Sequence, residues 1–364
     1  MSDRLPSAPS RRSLLLGAAA VAPLVAVGGT ATHAQGGFGE FHDAGGLRIT
    51  HHWDRSDIRS VDFRVDTGGM VRTFDPSIRV TLPESYGENP DRRYPVLLML
   101  HGRSGFYQEW TEAGNVLEET AGQDVVVVMP DGGAGSFYSN ANFPFPGREA
   151  AWESFIIDQV LPFVHENFRT DPDRMAIAGL SMGGWGALAL GQRYWGHFRS
   201  VSSYSGPADC NPATGDGALV ALAIWACPGF DIEKYWGTTN RPGATWGDHP
   251  YPEIAKTYNP IDNLERFEGK RVFLRTGDGP WDDFLVGLDA NPDLLDLAAQ
   301  KLGEAFGNIV EQTVHPNLAR FSGALDDAGI ENDFQLIEGA THDWGLWRDN
   351  FAEDLPGIMD ALNA

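Results

Sequence analysis

The chain has 364 residues, 42% of them hydrophobic, and a formal net charge of −23 at pH 7. That length and apolar content support a globular core in one large or two small domains. The acidic surface repels phosphate backbones and anionic lipid, and no Lys/Arg cluster follows the first residues, so nucleic-acid binding is excluded as the expected role.

Residues 1–34 differ from the rest. The run "SRRSLLLGAAAVAPLVAV" begins basic, continues apolar until Pro23 breaks it, and leads to small residues ending at Ala34. This pattern predicts an export signal cleaved after Ala34, and the paired Arg11 and Arg12 match a twin-arginine leader. The apolar run is too short and interrupted for stable membrane insertion. Residues 35–60 read as a Gly-rich linker followed by edge strands, because "LRITHHWDRSDIRSVDFRVDT" alternates apolar and polar positions. The adjacent His51 and His52 lack further ligands at metal-binding spacing and read as surface histidines. "SIRVTLPESY" continues the antiparallel start of a sheet.

From residue 61 to 364 the pattern predicts one α/β-hydrolase domain. Short uninterrupted apolar runs stand at 94–102, 124–133, 174–181, 198–206, 271–279 and 332–342. Strands buried on both faces, as in a parallel sheet between helical layers, have this composition. Between two of them, Trp152, Phe155, Ile156, Val160, Phe163 and Val164 fall on one helical stripe. Residues 207 to about 262 are rich in Gly, Pro and aromatics and read as a cap over the carboxyl edge of the sheet, where Trp225, Tyr235, Trp236 and Trp246 are available to line a site. Both cysteines, Cys210 and Cys227, lie here. In an exported chain they are expected to pair, and closing that loop stabilises by about 3 kcal/mol in the chain-entropy model.

The stretch "AGLSMGGW" puts Ser181 between Gly179 and Gly183, after a strand-like run and before a helix-forming one. This is the spacing of a nucleophile elbow, a turn too tight for side chains beside the serine. A serine hydroxyl needs a base to take its proton and an acid to hold that base, in the order Ser, acid, His in this fold. Four histidines follow Ser181. His197 ends the elbow helix, His249 falls in the cap, and His315 precedes Pro316 at an expected helix start. His342, directly after the last strand, is the expected base. For the acid, topology points to Asp278, Asp282 and Asp283 after the penultimate strand, while Glu311 reads as surface charge between helices. The backbone N–H groups of Met182 and Arg103 are the expected oxyanion donors. This chemistry requires no metal or organic cofactor.

From about residue 60 onward the chain resembles the mycolyltransferases of the antigen 85 complex and their corynebacterial relatives, within the esterase D group. The likeness rests on the ordered motifs "GSFYS" (135–139), "WESF" (152–155), "GLSMGG", "YWG" (235–237), "NP" (259–260), "TGDG" (276–279) and "THDW" (341–344). In that family the acid is a glutamate ten positions ahead of a phenylalanine. Glu311 and Phe321 stand at that spacing, so the resemblance moves the expected acid to Glu311. It implies an acyl-serine intermediate and transfer of a mycolic-type acyl group from a trehalose ester to a sugar hydroxyl, with Trp344 facing the sugar. The chain departs from the family where Asp-Gly-x-Arg is replaced by His101-Gly102-Arg103-Ser104; His101 and Ser104 at these positions are expected to bind substrate. "HDW" and "LHG" are closer to feruloyl and formylglutathione esterases, so a secreted carboxylesterase is the alternative. The expected partners are an acylated trehalose or other ester and a sugar acceptor; nothing in the pattern sets an oligomeric state.

Overall fold

The computed structural model describes residues 38–226, 242–249, 251–279 and 294–364, with side chains from residue 310 in the last stretch. Nine strands form one sheet: β1 (Arg48–Arg55), β2 (Ser60–Asp66), β3 (Ser77–Thr81), β4 (Tyr94–Leu100), β5 (Val126–Pro130), β6 (Thr170–Leu180), β7 (Phe198–Tyr204), β8 (Arg271–Gly277) and β9 (Asp333–Ile337). Their order is β1-β2-β3-β5-β4-β6-β7-β8-β9. The first three strands and their junction with β5 are antiparallel, and every pairing from β5 through β4 to β9 is parallel.

The difference between the two halves follows from the side chains. Every residue of β4 and β5 is buried, as expected for strands covered on both faces, whereas β1 is mostly exposed at the edge. Along β4 the pleat sends Val96, Leu98 and Leu100 into one apolar layer and Leu97 and Met99 into the other. The first layer is closed by the stripe foreseen between β5 and β6. Trp152, Phe155, Ile156, Val160, Phe163 and Val164 are all at most 3% exposed, and one π-helical turn, Phe155–Val160, interrupts the α-helical path. The second layer is closed by the C-terminal helix Trp344–Asn363 through Leu346, Trp347, Phe351, Leu355, Ile358 and Leu362.

The connection from β7 to β8 is the stretch where the cap is expected. It includes the helix Asp216–Ala226 and the short helix Glu253–Tyr258. Trp246 is buried here, while Tyr235 and Trp236, with the whole "YWG" motif, lie outside the described residues. Cys210 is a buried free thiol and Cys227 lies outside the described residues, so the structure does not show the expected bridge. Residues 1–37, with the expected leader, also lie outside them; no helix among the described residues is long and apolar enough to cross a membrane.

One expectation is corrected. Pro316 does not start a helix: it lies inside a single helix, Leu294–Asp327, between β8 and β9. A proline in a helix interior removes one i to i−4 bond. Here Leu318, Phe321 and Leu325 beyond it are fully buried, so packing holds the helix through the break.

Candidate active site

Ser181 sits between the last residue of β6 and the helix Met182–Arg193, at the carboxyl end of a central strand. Open α/β sheets place ligands at this edge. Its backbone is left-handed, with φ 52°. The glycines beside it are required by contact. A Cβ on Gly179 would lie 2.2 Å from the Gly183 carbonyl oxygen, and one on Gly183 would lie 2.4 Å from the carbonyl oxygen of Leu100. The elbow is thus a turn in which three backbone segments meet with no room for a methyl group.

His342 lies in the loop between β9 and the C-terminal helix. Asp343 caps that helix by accepting from the N–H groups of Gly345 and Leu346 at 2.7 and 3.2 Å, so the histidine stands just before the helix start. Its Nε2 is 2.8 Å from Ser181 Oγ and its Nδ1 is 3.0 Å from Glu311 Oε1. Trp347 packs edge-on against the imidazole, with centroids 5.0 Å apart, and its indole N–H donates to Ser205 Oγ at 3.2 Å.

Glu311 is fully buried on the long helix. Its second oxygen, Oε2, accepts from Thr276 Oγ1 at 2.5 Å and from the Gly277 N–H at 3.1 Å. "TGDG" therefore serves the site through its threonine and first glycine. Gly277 also has no room for a side chain, since a Cβ there would lie 2.1 Å from the Ala340 carbonyl oxygen in the histidine loop. The carboxylate of Asp278 instead accepts from the Gly339 N–H at 2.6 Å. Asp282 and Asp283 lie outside the described residues. His197 and His249 are exposed, and His315 is partly buried further along the same long helix.

Met182 is the first residue of its helix, where the N–H has no intrahelical acceptor. In the loop after β4, the N–H groups of Ser104 and Gly105 donate to Ala134 and Gly102, whereas no backbone acceptor among the described residues takes that of Arg103. Met182 and Arg103 line one pocket with Ser181 and His342. An ester oxygen between them would meet two amide donors and the positive end of a helix.

His101 does not reach this pocket, which corrects its expected place at the substrate. It is 1% exposed, its Nε2 accepts from the Gly132 N–H at 2.9 Å, and its Nδ1–H donates to the Gly102 carbonyl at 2.8 Å. Burial pushes the ring down to about 4, which keeps it neutral. Ser104 is likewise absent from the pocket wall; it has φ 61° and turns the loop. The loop is tied further by Asp131, which accepts from the N–H groups of Ser77 and Tyr107, and by Tyr138, whose hydroxyl donates to the His101 carbonyl at 2.9 Å. Sequence reasoning missed Asp131, Tyr138, Trp347 and Ser205. The first two stand in the apolar run 124–133 and in "GSFYS", where spacing alone does not tell a buried tether from a turn.

The pocket measures about 490 Å³. One wall is apolar, made by Leu219, Val220 and Ala223 of the cap helix and by Val310 and Val314 of the long helix. The remainder brings Arg103 and Glu109 from the segment after β4 together with Trp344. Trp344 packs edge-on against Trp110 at 5.4 Å. Burial, and then the like charge of Glu112, raise the Glu109 carboxyl to about 7.

Comparison with known proteins agrees with this geometry. Over residues 73–358 the chain matches the Esterase family model. It is 34% identical over 325 residues to the esterase Rv1288 of Mycobacterium tuberculosis, an alignment covering 88% of this chain and 63% of that protein. It is 25% identical over 291 residues to the diacylglycerol acyltransferase/mycolyltransferase Ag85A of Mycobacterium leprae, covering 76% and 78%. Among solved structures, S-formylglutathione hydrolase from Agrobacterium tumefaciens superposes with a TM-score of 0.60 at 16% identity, covering 86% and 99%. Mycobacterium tuberculosis MPT51 (FbpC1) superposes at 0.56 with 20% identity, covering 82% and 97%. These two likenesses show the fold alone. The chain therefore spans 63% of the length of the first of these relatives, and it belongs to the Esterase family of α/β hydrolases.

Proposed function

We propose that this chain is an exported serine enzyme that cleaves acyl esters through an acyl-serine at Ser181. The observation that carries the reading is the continuous chain from Ser181 Oγ through His342 to Glu311, at 2.8 and 3.0 Å. In the first step Ser181 Oγ attacks the ester carbonyl while His342 Nε2 takes its proton. The negative charge that forms on the carbonyl oxygen meets the amides of Met182 and Arg103. Collapse breaks the ester bond, and the leaving alkoxide receives the proton held by His342. Glu311 holds the imidazole with Nδ1 protonated and offsets the positive charge it carries between the two transfers.

Water is the proposed second substrate, making the chain a carboxylesterase. The esterase relative at 34% identity favours this, and so does the burial of His101, which leaves the expected substrate contact unmade. A second reading, acyl transfer to a sugar hydroxyl, is favoured by the mycolyltransferase relative and by Trp344 in the pocket. Product partition separates them. With a trehalose monoester as donor, free acid at a rate indifferent to added trehalose supports hydrolysis, and diester in proportion to added trehalose overturns it in favour of transfer. Export rests on the leader pattern of residues 1–34, and the proposed location is extracellular or at the cell wall. The Cys210–Cys227 bridge remains a proposal for the exported form, tested by counting alkylatable thiols in the unreduced protein.

A further inference from the structure

The pocket wall is divided by chemistry. The cap helix and the long helix contribute aliphatic side chains, which suit an acyl group. On the proposed reading, the alcohol half of the ester is left with the part of the wall formed by Arg103, Glu109 and Trp344. Glu109 is unusual among these. A Cβ on Gly105 would lie 2.3 Å from its Oε2, so the carboxyl is packed against the loop that carries the Arg103 amide. Among the described residues no cation pairs with it; one backbone donor, the Phe106 N–H, points at it from the same turn. A carboxylate partly withdrawn from water, without a cation and lining a substrate pocket, keeps acceptor sites that one backbone donor does not fill. Trp344 adjoins it through Trp110, its neighbour in sequence. A carboxylate beside an indole offers hydrogen-bond acceptors next to an apolar surface, which together match a molecule with hydroxyls on one edge and C–H groups on its face.

We propose that Glu109 sets specificity for the alcohol half of the ester, accepting hydroxyl groups of a neutral polyhydroxy alcohol and rejecting an anionic one. This rests on acyl-ester cleavage at Ser181. The acyl wall lies on other elements, so Glu109 acts on discrimination between alcohols that carry the same acyl group. Its charge is present above the raised titration range, so the comparison belongs at pH 8.5.

The test uses three butyrate esters: glycerol monobutyrate, with two free hydroxyls; propyl butyrate, with none; and the butyrate ester of glycolate, with a carboxylate. The quantity read is kcat/KM for each, expressed relative to propyl butyrate. In Glu109→Gln the preference for the glycerol ester is expected to fall roughly tenfold and acceptance of the glycolate ester to rise by a similar factor. Glu109→Asp keeps the charge and is expected to keep rejecting the glycolate ester. A purely structural role would lower all three substrates together and leave the ratios in place. Ratios within twofold of the unmodified enzyme in Glu109→Gln overturn the assignment. Absence of cleavage of all three esters by the unmodified enzyme overturns the reading at Ser181, and the assignment with it.

Discussion

Replacing Glu311 by glutamine should disable the site while leaving its shape intact. The carboxylate accepts on both sides: His342 Nδ1–H at Oε1, and Thr276 Oγ1 and the Gly277 N–H at Oε2. A glutamine amide must turn its NH2 toward one side. The Thr276 hydroxyl can rotate to accept, but the Gly277 N–H is a fixed donor and would oppose the NH2 at about 3 Å, in a site with no exposure to water. The amide oxygen therefore goes to Gly277 and the NH2 faces His342 Nδ1. That nitrogen must then accept, the ring proton moves to Nε2, and the nitrogen facing Ser181 can no longer take its proton. Loss of the working tautomer costs about 10⁴ in kcat in a comparable triad, roughly 5 kcal/mol of transition-state stabilisation. The assay is kcat for a p-nitrophenyl butyrate series, with the urea midpoint of each variant as a check on folding. Asp278→Asn serves as the comparison, because Asp278 binds the Gly339 N–H and not the imidazole. A Glu311→Gln enzyme within tenfold of the original, or a larger loss in Asp278→Asn, refutes the argument.

Ser181→Ala should abolish covalent labelling by a fluorophosphonate, and residual labelling at another serine would move the nucleophile. Gly183→Ala places a methyl group 2.4 and 2.6 Å from two backbone oxygens; we expect about 1–3 kcal/mol lost in urea unfolding together with most of the labelling, and a variant of unchanged stability would contradict the packing. His101, held neutral with a pKa near 4, should make the fold acid-sensitive. As pH falls from 6.5 to 4 the unfolded chain takes up a proton that the buried ring refuses, costing about 3 kcal/mol, and this slope should be absent in His101→Gln. For Glu109 the raised carboxyl works in the other window. Stability should decline as pH rises from 4.5 to 7, so Glu109→Gln should match the unmodified protein at pH 4 and exceed it by about 1–2 kcal/mol at pH 8.

The parallel strands were readable because burial on both faces removes polar residues from a run, and the six apolar runs overlap β4 to β9. The elbow and the proposed base were readable for a related reason: backbone crowding demands glycine at 179 and 183, and the loop after the last strand contains one histidine. The proposed acid was not readable from topology. Glu311 reaches His342 from a helix, and its partners Thr276 and Gly277 lie 35 and 34 positions away in sequence. Nothing local distinguishes such a residue from surface charge, so the family spacing to Phe321 carried that expectation. His101 shows the converse failure. A histidine beside the oxyanion glycine reads as a ligand-facing group, but only the fold reveals that the Gly132 N–H and Gly102 carbonyl occupy both ring nitrogens.

The strained backbone explains why so much of the scaffold is buried tether. Of seven non-glycine residues with positive φ among the described residues, five are Ser104, Phe137, Tyr138, Ser181 and Ser205. Three of them, Phe137, Ser181 and Ser205, line the pocket itself. Each such conformation costs about 1–3 kcal/mol and persists only where its surroundings leave no alternative. Those surroundings are the close contacts at Gly179 and Gly183, the neutral His101, the Asp131 acceptor and the Tyr138 hydroxyl. They fix the proposed nucleophile and the proposed Met182 and Arg103 donors before any substrate arrives, which is the condition under which oxyanion donors lower a barrier instead of merely binding. Selection among alcohols then falls to side chains outside that frame. Glu109 is the one proposed for that part, and the ratios between alcohols, not the rate on propyl butyrate alone, are what its replacement should change.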